Sequence, residues 1–183
     1  LLIIMSSSSD RFFSNPYQDF SAQLNLTADQ IVRTEHLYQY AKETAFLCMN
    51  RLKPKPKYCD GALYTGNLGL IFMCFKLLGY ERFRKYEQEI KNYMRECLAA
   101  NEEYYEMTGQ KETREVAFIL GKGGLSVMGC FVSRILGDEN KVGKYARDYA
   151  SLASICEPIN FLKRGSDEMF VGRAGYLWYS KYF

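Results

Sequence analysis

Three glycine pairs at near-constant spacing constrain the fold of this chain more than any other feature of its sequence. Each pair has two residues between its glycines and is followed at once by an apolar run. The pairs are Gly66 with Gly69, Gly121 with Gly124, and Gly172 with Gly175. The first glycines of successive pairs are 55 and 51 residues apart. One such pair carries little information, but three at this spacing indicate a repeated structural unit.

The segments between the glycine pairs have the pattern of helical hairpins. Leu68–Leu78 and Leu125–Leu136 are apolar on almost every side, which predicts buried helices. Glu81–Ala99 and Lys141–Ile155 carry apolar residues three and four positions apart, which predicts amphipathic helices. The third unit begins at Gly172. We therefore predict an all-α fold, an (α/α) toroid in which amphipathic outer helices surround a ring of buried inner helices.

The six glycines are predicted to be structural. A chain that enters a crowded inner ring must turn sharply and approach other backbone closely, and a Cβ would obstruct both. A phosphate-binding loop is excluded at Gly121–Gly124, because the spacing and the terminal Lys-Ser/Thr pair of that motif are missing.

The repeats also divide the chain. Residues up to about Ala22 show no clear periodicity, and residues 1–26 are predicted to form an N-terminal arm. Residues 27–183 are predicted to form an incomplete toroid, with a first helix over 27–53 and units that start near 64, 119 and 170. Thr27 can cap the first helix, and Pro54 with Pro56 stops it.

Charge and cysteine usage exclude several classes of function. The 24 basic and 21 acidic residues are interspersed, so no patch for nucleic acid is indicated. The six cysteines lie at least eleven residues apart, so no C-x-x-C pair is present that could bind zinc or form a redox couple. The only histidine, His36, is expected to be solvated. The longest uncharged apolar run, Leu68–Phe75, is far too short to span a membrane. We expect a cytoplasmic protein without a transmembrane segment, with peripheral association at the plasma membrane left open.

Four stretches in the right order resemble the eukaryotic LanC-like (lanthionine synthetase C-like) proteins, relatives of the bacterial lanthionine cyclases. They are Arg11–Tyr17, similar to R-x-F-x-N-P-Y; Asp60–Gly69, similar to D-G-x-x-Y-T-G-x-x-G; Phe118–Gly124; and Glu168–Tyr176, similar to E-M-x-x-G-R-A-G-Y. The second unit departs from the family, since Lys122 stands where an aspartate is usual.

The resemblance implies a toroid of seven hairpins with zinc at the mouth of its cavity. In the family, two cysteines and a histidine from C-terminal repeats hold the zinc, which activates a thiol. The LanC-like members are associated with glutathione and with its addition to dehydrated Ser or Thr in peptides and proteins, a form of peptide modification.

The resemblance implies that this chain is the N-terminal portion of a LanC-like protein and contains about the first three repeats. A full toroid needs about twice this length. We expect no catalytic residue and no metal ligand here, and zinc only in the full-length family. Because its inner helices would lack partners, we expect the isolated chain to self-associate.

Two arginines are candidates for binding glutathione. Arg11 matches an arginine of the family motif, and the resemblance implies that this arginine contacts a carboxylate of glutathione. A guanidinium suits a carboxylate because the two groups can form paired hydrogen bonds. Arg173 lies at the start of a repeat, where it can face the cavity or, as we favour, brace neighbouring loops through their carbonyls.

Two alternatives to the enzyme stay open. One is a scaffold that binds glutathione or a partner without turnover. The other is a different α/α toroid that acts on carbohydrate, which would need paired carboxylates. Glu102–Glu103 and Asp167–Glu168 are acidic pairs, but they are expected to lie solvated in polar loops.

Overall fold

A computed structural model of the chain describes residues 28–56, 61–108, 116–161, 166–181 and 183. All regular structure within these ranges is helical, and no strand occurs in them, which confirms the all-α prediction. The chain forms two compact units, residues 1–41 and residues 42–183.

Seven α-helices follow one another in the described ranges. They are α1 (Ala28–Arg51), α2 (Asn67–Leu78), α3 (Glu87–Thr108), α4 (Lys122–Leu136), α5 (Glu139–Ser151), α6 (Ala153–Cys156) and α7 (Arg173–Ser180). A 3-10 helix, Glu81–Tyr86, precedes α3.

The described part of the first unit is the N-terminal portion of α1. Gln39 donates a hydrogen bond of 2.9 Å from Nε2 to Oε1 of Glu35, one helical turn earlier. Leu37 and Tyr40 are exposed, and so is His36. The predicted N-terminal arm, with Arg11, lies outside the described residues.

The larger compact unit, Lys42–Phe183, contains the predicted hairpins. The inner helix α4 buries ten of its 15 residues, whereas the outer helix α5 buries only Tyr145 and Tyr149. Gly137 ends α4 in the left-handed conformation with a φ of 73°, as a helix C-terminus often does. Asp138 then caps α5, since its carboxylate accepts a 3.0 Å hydrogen bond from Lys141 N.

The predicted bounds of the two outer helices are wrong. The helix predicted over Glu81–Ala99 begins as a 3-10 helix, and its α-helical part continues to Thr108. It continues because Asn101 and Tyr105 extend the buried face. The second outer helix starts at Glu139 and ends at Ser151, and the short α6 follows it.

A hydrophobic core joins the second and third repeats. It draws on the segment before α4, on α4 itself, on α5 and α6, and on α7. Its buried members are Val116, Phe118, Val127, Tyr149, Leu152, Cys156, Phe161 and Tyr176. Tyr149 and Tyr176 stack at 4.7 Å, and each hydroxyl donates to the other residue's carbonyl oxygen, at 2.6 and 3.1 Å. Both hydroxyls are therefore satisfied within the core.

Residues 61–66, 116–121 and 166–172 precede the three inner helices, and we call them the first, second and third opening loops. Each loop brings a carbonyl oxygen against the second glycine of its pair, six positions later. The contacts pair Leu63 with Gly69, Phe118 with Gly124, and Met169 with Gly175. A Cβ at Gly69 would lie 2.5 Å from the Leu63 oxygen, and at the other two positions it would lie closer still. A backbone oxygen cannot move aside as a side chain does, so these positions admit glycine only.

Gly124→Ala is expected to lower the free energy of unfolding by about 1–3 kcal/mol, because the added methyl overlaps the Phe118 carbonyl. The matched control is Gly143→Ala in α5, where the Cβ would meet only the flexible end of Arg147 at 3.3 Å. That change is expected to stabilise the helix by about 0.5–1 kcal/mol. Urea unfolding measures both, and equal effects would contradict the packing of the loops.

Candidate functional site

The three opening loops share one local geometry. In each loop the first glycine of the pair donates its backbone N–H to the carbonyl four residues earlier, at 3.1 Å. The pairs are Gly66 with Ala62, Gly121 with Ala117, and Gly172 with Glu168. The same glycines then occupy the N-cap position of the inner helices with an extended backbone. The repeat seen in the sequence is therefore a repeat of loop conformation.

Backbone hydrogen bonds join the loops to one another in order along the chain. Leu63 N and Tyr64 N donate to Ile119 O at 2.9 and 3.2 Å, and Ile119 N donates to Phe170 O at 3.3 Å. We call this series the loop ladder. It places the starts of α2, α4 and α7 side by side and makes the opening loops a continuous rim, which is the candidate functional site.

Arg173 fastens the third opening loop to the end of the second hairpin. Its Nε donates to Cys156 O at 2.9 Å, and its Nη2 donates to Pro158 O at 2.7 Å. Its Nη1 pairs with the exposed carboxylate of Asp167, and the guanidinium lies 5.6 Å from the centre of the Phe161 ring. These are the bracing contacts that we favoured from the sequence. Whether Arg173 also contacts glutathione stays a prediction.

The acidic residues of the third loop are also engaged. Asp167 pairs with Arg173, and the Glu168 carboxylate accepts the backbone N–H of Val171. Glu168 is half-buried, so only Asp167 fits the expectation of a solvated carboxylate.

The expectation that Glu102 and Glu103 lie in a loop is wrong, since both belong to α3, and only Glu103 is exposed to solvent. Glu102 belongs to α3 and is largely buried, and its carboxylate accepts a 2.7 Å hydrogen bond from the Tyr145 hydroxyl of α5. Lys141 and Lys144 lie 3.2 and 3.7 Å from the same carboxylate. Burial, and secondly the bond to Glu102, raise the pKa of Tyr145, so its hydroxyl remains a donor. This cluster ties the two outer helices together.

A polar cavity of about 340 Å³ opens beside this cluster, between α3, α4 and α5. Lys122 and Ser126 of α4 line it together with Glu106 and Asp148. Lys122, the residue that departs from the family pattern, thus faces a groove of mixed charge.

The described residues do not fit a zinc site. No three His, Cys, Asp or Glu side chains come together within these ranges. None of the five cysteines that the structure describes forms a disulfide. Burial, with the nearby Cys48 thiol as a smaller cause, raises the pKa of Cys74 to about 12. Burial also raises the pKa values of Cys130 and Cys156.

Sequence reasoning did not predict the hydrogen-bond partners of Glu102, Tyr145 and Arg173. The Tyr145–Glu102 bond joins residues 43 positions apart, and the acceptors of Arg173 are backbone carbonyls. The only sequence signal for the former was Tyr145 on the apolar face of α5.

Arg173→Lys is expected to lower the free energy of unfolding by about 1–3 kcal/mol, because one ammonium cannot reach two carbonyls and a carboxylate at once. The control is Arg95→Ala, which removes only an exposed hydrogen bond to Asn92 within α3. That change is expected to cost at most about 0.5 kcal/mol. Urea unfolding compares the two variants. Equal losses would show that the Arg173 contacts do not hold the loop.

No helix within the described ranges is long and apolar enough to cross a membrane.

The chain matches the family described as lanthionine synthetase C-like protein over residues 58–181, more than half of its length. It is 31% identical over 123 residues to the LanC-like protein GCL1 of Arabidopsis thaliana. That match covers 65% of this chain and 27% of the relative, so the chain spans about a quarter of the relative's length. The matched segment contains all three opening loops, and the chain belongs to the lanthionine synthetase C-like family.

Proposed function

We propose that this chain forms part of the rim of a reaction cavity in a LanC-like protein that adds the thiol of glutathione to dehydroamino acid residues of peptides or proteins. The observation that carries the proposal is the loop ladder, which holds three opening loops in fixed order within the segment that matches the family.

The proposed reaction is a conjugate addition. The glutathione thiol loses its proton, its sulfur forms a bond to the β-carbon of the dehydroamino acid, the carbon–carbon π bond breaks, and the α-carbon takes up a proton. Bound zinc supplies thiol activation in the family. Because the described residues do not fit zinc, we assign its ligands to another part of a full-length protein. The proposed role of this chain is to bind and orient glutathione and the peptide.

Arg11 and Arg173 have different parts in the proposal. Arg11 would pair with a glutathione carboxylate through its guanidinium. Arg173 keeps the third opening loop in place through Cys156 O and Pro158 O, so its effect on glutathione would be indirect.

A scaffold without turnover is the second candidate. Its support is that four of the five described cysteines are buried, and that burial raises the pKa of the Cys74 thiol. Such thiols neither react nor ligate metal readily. Cysteines that form no disulfide within the described ranges also support the proposed cytoplasmic location. Peripheral association with the plasma membrane stays a prediction.

The carbohydrate alternative has no comparable support. Glu102 is held by Tyr145 and two lysines, Asp148 in the same cavity pairs with Lys144, and Glu168 is held by a backbone N–H. A glycoside hydrolase needs two carboxyl groups that flank an open cleft.

The test titrates the 183-residue chain with reduced glutathione and follows backbone amide signals by NMR. We expect saturable shifts, and Arg11→Ala is expected to weaken binding roughly tenfold through loss of a charged hydrogen bond. The matched control is Arg84→Ala, which removes an exposed cation paired with Glu81 and is expected to leave binding unchanged. Absence of any saturable shift would overturn the proposal.

A second arm separates the enzyme from the scaffold. The chain is incubated with glutathione, zinc and a dehydroalanine peptide, and the adduct is followed by mass spectrometry. We expect binding without adduct formation above the uncatalysed rate. Catalysis by this chain alone would contradict our assignment of the zinc ligands to another part of the protein.

A further inference from the structure

A groove of about 620 Å³ lies between the first and second hairpins, at the ends of the inner helices that are opposite the opening loops. It is bounded by the end of α2, the 3-10 helix, the start of α3 and the end of α4, and we call it the end groove. The helices on both of its sides are described without a gap, in the ranges 61–108 and 116–161. The end groove is therefore a feature of how two complete hairpins pack, and its volume is typical of a site for a small molecule.

The inner helices give the end groove an apolar lining. Phe75 and Leu78 of α2 and Ile135 of α4 line it, and each of these side chains is half-buried. The Phe75 ring stacks on the Phe131 ring of α4, with the ring centroids 5.0 Å apart and the ring planes at 10°. Because this stacking holds Phe75 from behind, the apolar surface is formed before any ligand arrives.

Cations outnumber carboxylates around this apolar lining. The charged side chains that line the end groove in the described ranges are Lys76, Arg84, Lys91 and Glu87. Glu87 is already paired, since it lies 2.6 Å from the ammonium of Lys91. The Lys76 ammonium lies 5.2 Å from the centre of the Phe72 ring and pairs with no carboxylate of the described residues. The end groove therefore has an excess of positive charge.

Arg84 and Lys91 also keep hydrogen-bond donors for an anion. Arg84 pairs with Glu81 through Nε at 2.8 Å, and its two Nη groups have no partner among the described residues. Both side chains of that pair are more than 70% exposed, so the pair contributes little and can rearrange. Lys91 has three N–H donors, and Glu87 accounts for one of them. The end groove thus combines a preformed apolar surface with unused donors for an anionic group.

We propose that the end groove binds a medium-chain carboxylate. The hydrocarbon chain lies on Phe75, Leu78 and Ile135, and the carboxylate pairs with Lys76 and with the Nη groups of Arg84, which suit a carboxylate through paired hydrogen bonds. A neutral hydrocarbon would leave the cations without a partner, and a small inorganic anion would leave the apolar lining wet. The proposal is independent of the proposed glutathione site, because the opening loops lie at the other end of the inner helices and glutathione has no hydrocarbon chain.

Titration of the 183-residue chain with octanoate, followed by NMR of the backbone amides, tests the proposal. Saturable shifts are expected at Phe75, Leu78 and Ile135. Two matched ligands separate the parts of the site: 1-octanol has the chain without the charge, and acetate has the charge without the chain. Each is expected to bind at least roughly tenfold more weakly than octanoate. Absence of saturable octanoate binding at these residues, or equally tight binding of 1-octanol, would overturn the proposal.

Charge variants test the role of the cations. Lys76→Glu is expected to weaken octanoate binding roughly tenfold or more, whereas Lys53→Glu, the same change at an exposed lysine outside the end groove, is expected to leave it unchanged. Equal effects of the two variants would overturn the proposal. Far-UV circular dichroism verifies folding, and Lys76→Gln replaces a Glu variant that unfolds. Arg84→Ala is expected to weaken octanoate binding but not glutathione binding, so the two proposals fail separately.

Discussion

The close approach of a loop carbonyl to a glycine six positions later holds the repeats in register. At Gly69, Gly124 and Gly175 the opening loop lies directly on the first turn of the inner helix. That contact fixes the direction in which the loop backbone points its remaining N–H and C=O groups. The loop ladder needs those directions, since Ile119 must donate to one neighbour and accept from the other. Arg173 reinforces the same arrangement from outside by fastening the third loop to the end of the second hairpin.

The parts of this fold that depend on local chemistry could be predicted from the sequence. Glycine spacing located the starts of the inner helices, because a Cβ is excluded there by the chain's own backbone. Apolar periodicity separated α4, buried on most sides, from α5, buried on one face. The end of α3 was missed because Asn101 and Tyr105 are buried by packing that a polar run conceals. Tyr105, for example, donates to Gly61 O, 44 residues away. The loop ladder joins backbone groups, which carry no sequence signal.

The candidate site could be predicted only in outline. The position of Arg173 at the start of a repeat suggested loop bracing, but its carbonyl acceptors on Cys156 and Pro158 follow from the tertiary fold. Glu102 was misjudged for the same reason, since its partner Tyr145 belongs to another hairpin. Family membership and the loop ladder together support a binding rim. No three side chains of the kinds that hold zinc come together in the described ranges.

Backbone amide hydrogen exchange at the opening loops tests the loop ladder most directly. The amides of Tyr64 and Ile119 are expected to exchange at least roughly tenfold more slowly than that of Phe170. The first two donate to carbonyls of the second and third loops, whereas Phe170 N has no acceptor among the described residues. Equal exchange rates at the three amides would show that the loops are not joined by the ladder. The ordered rim, and the functions proposed for it, would then be contradicted.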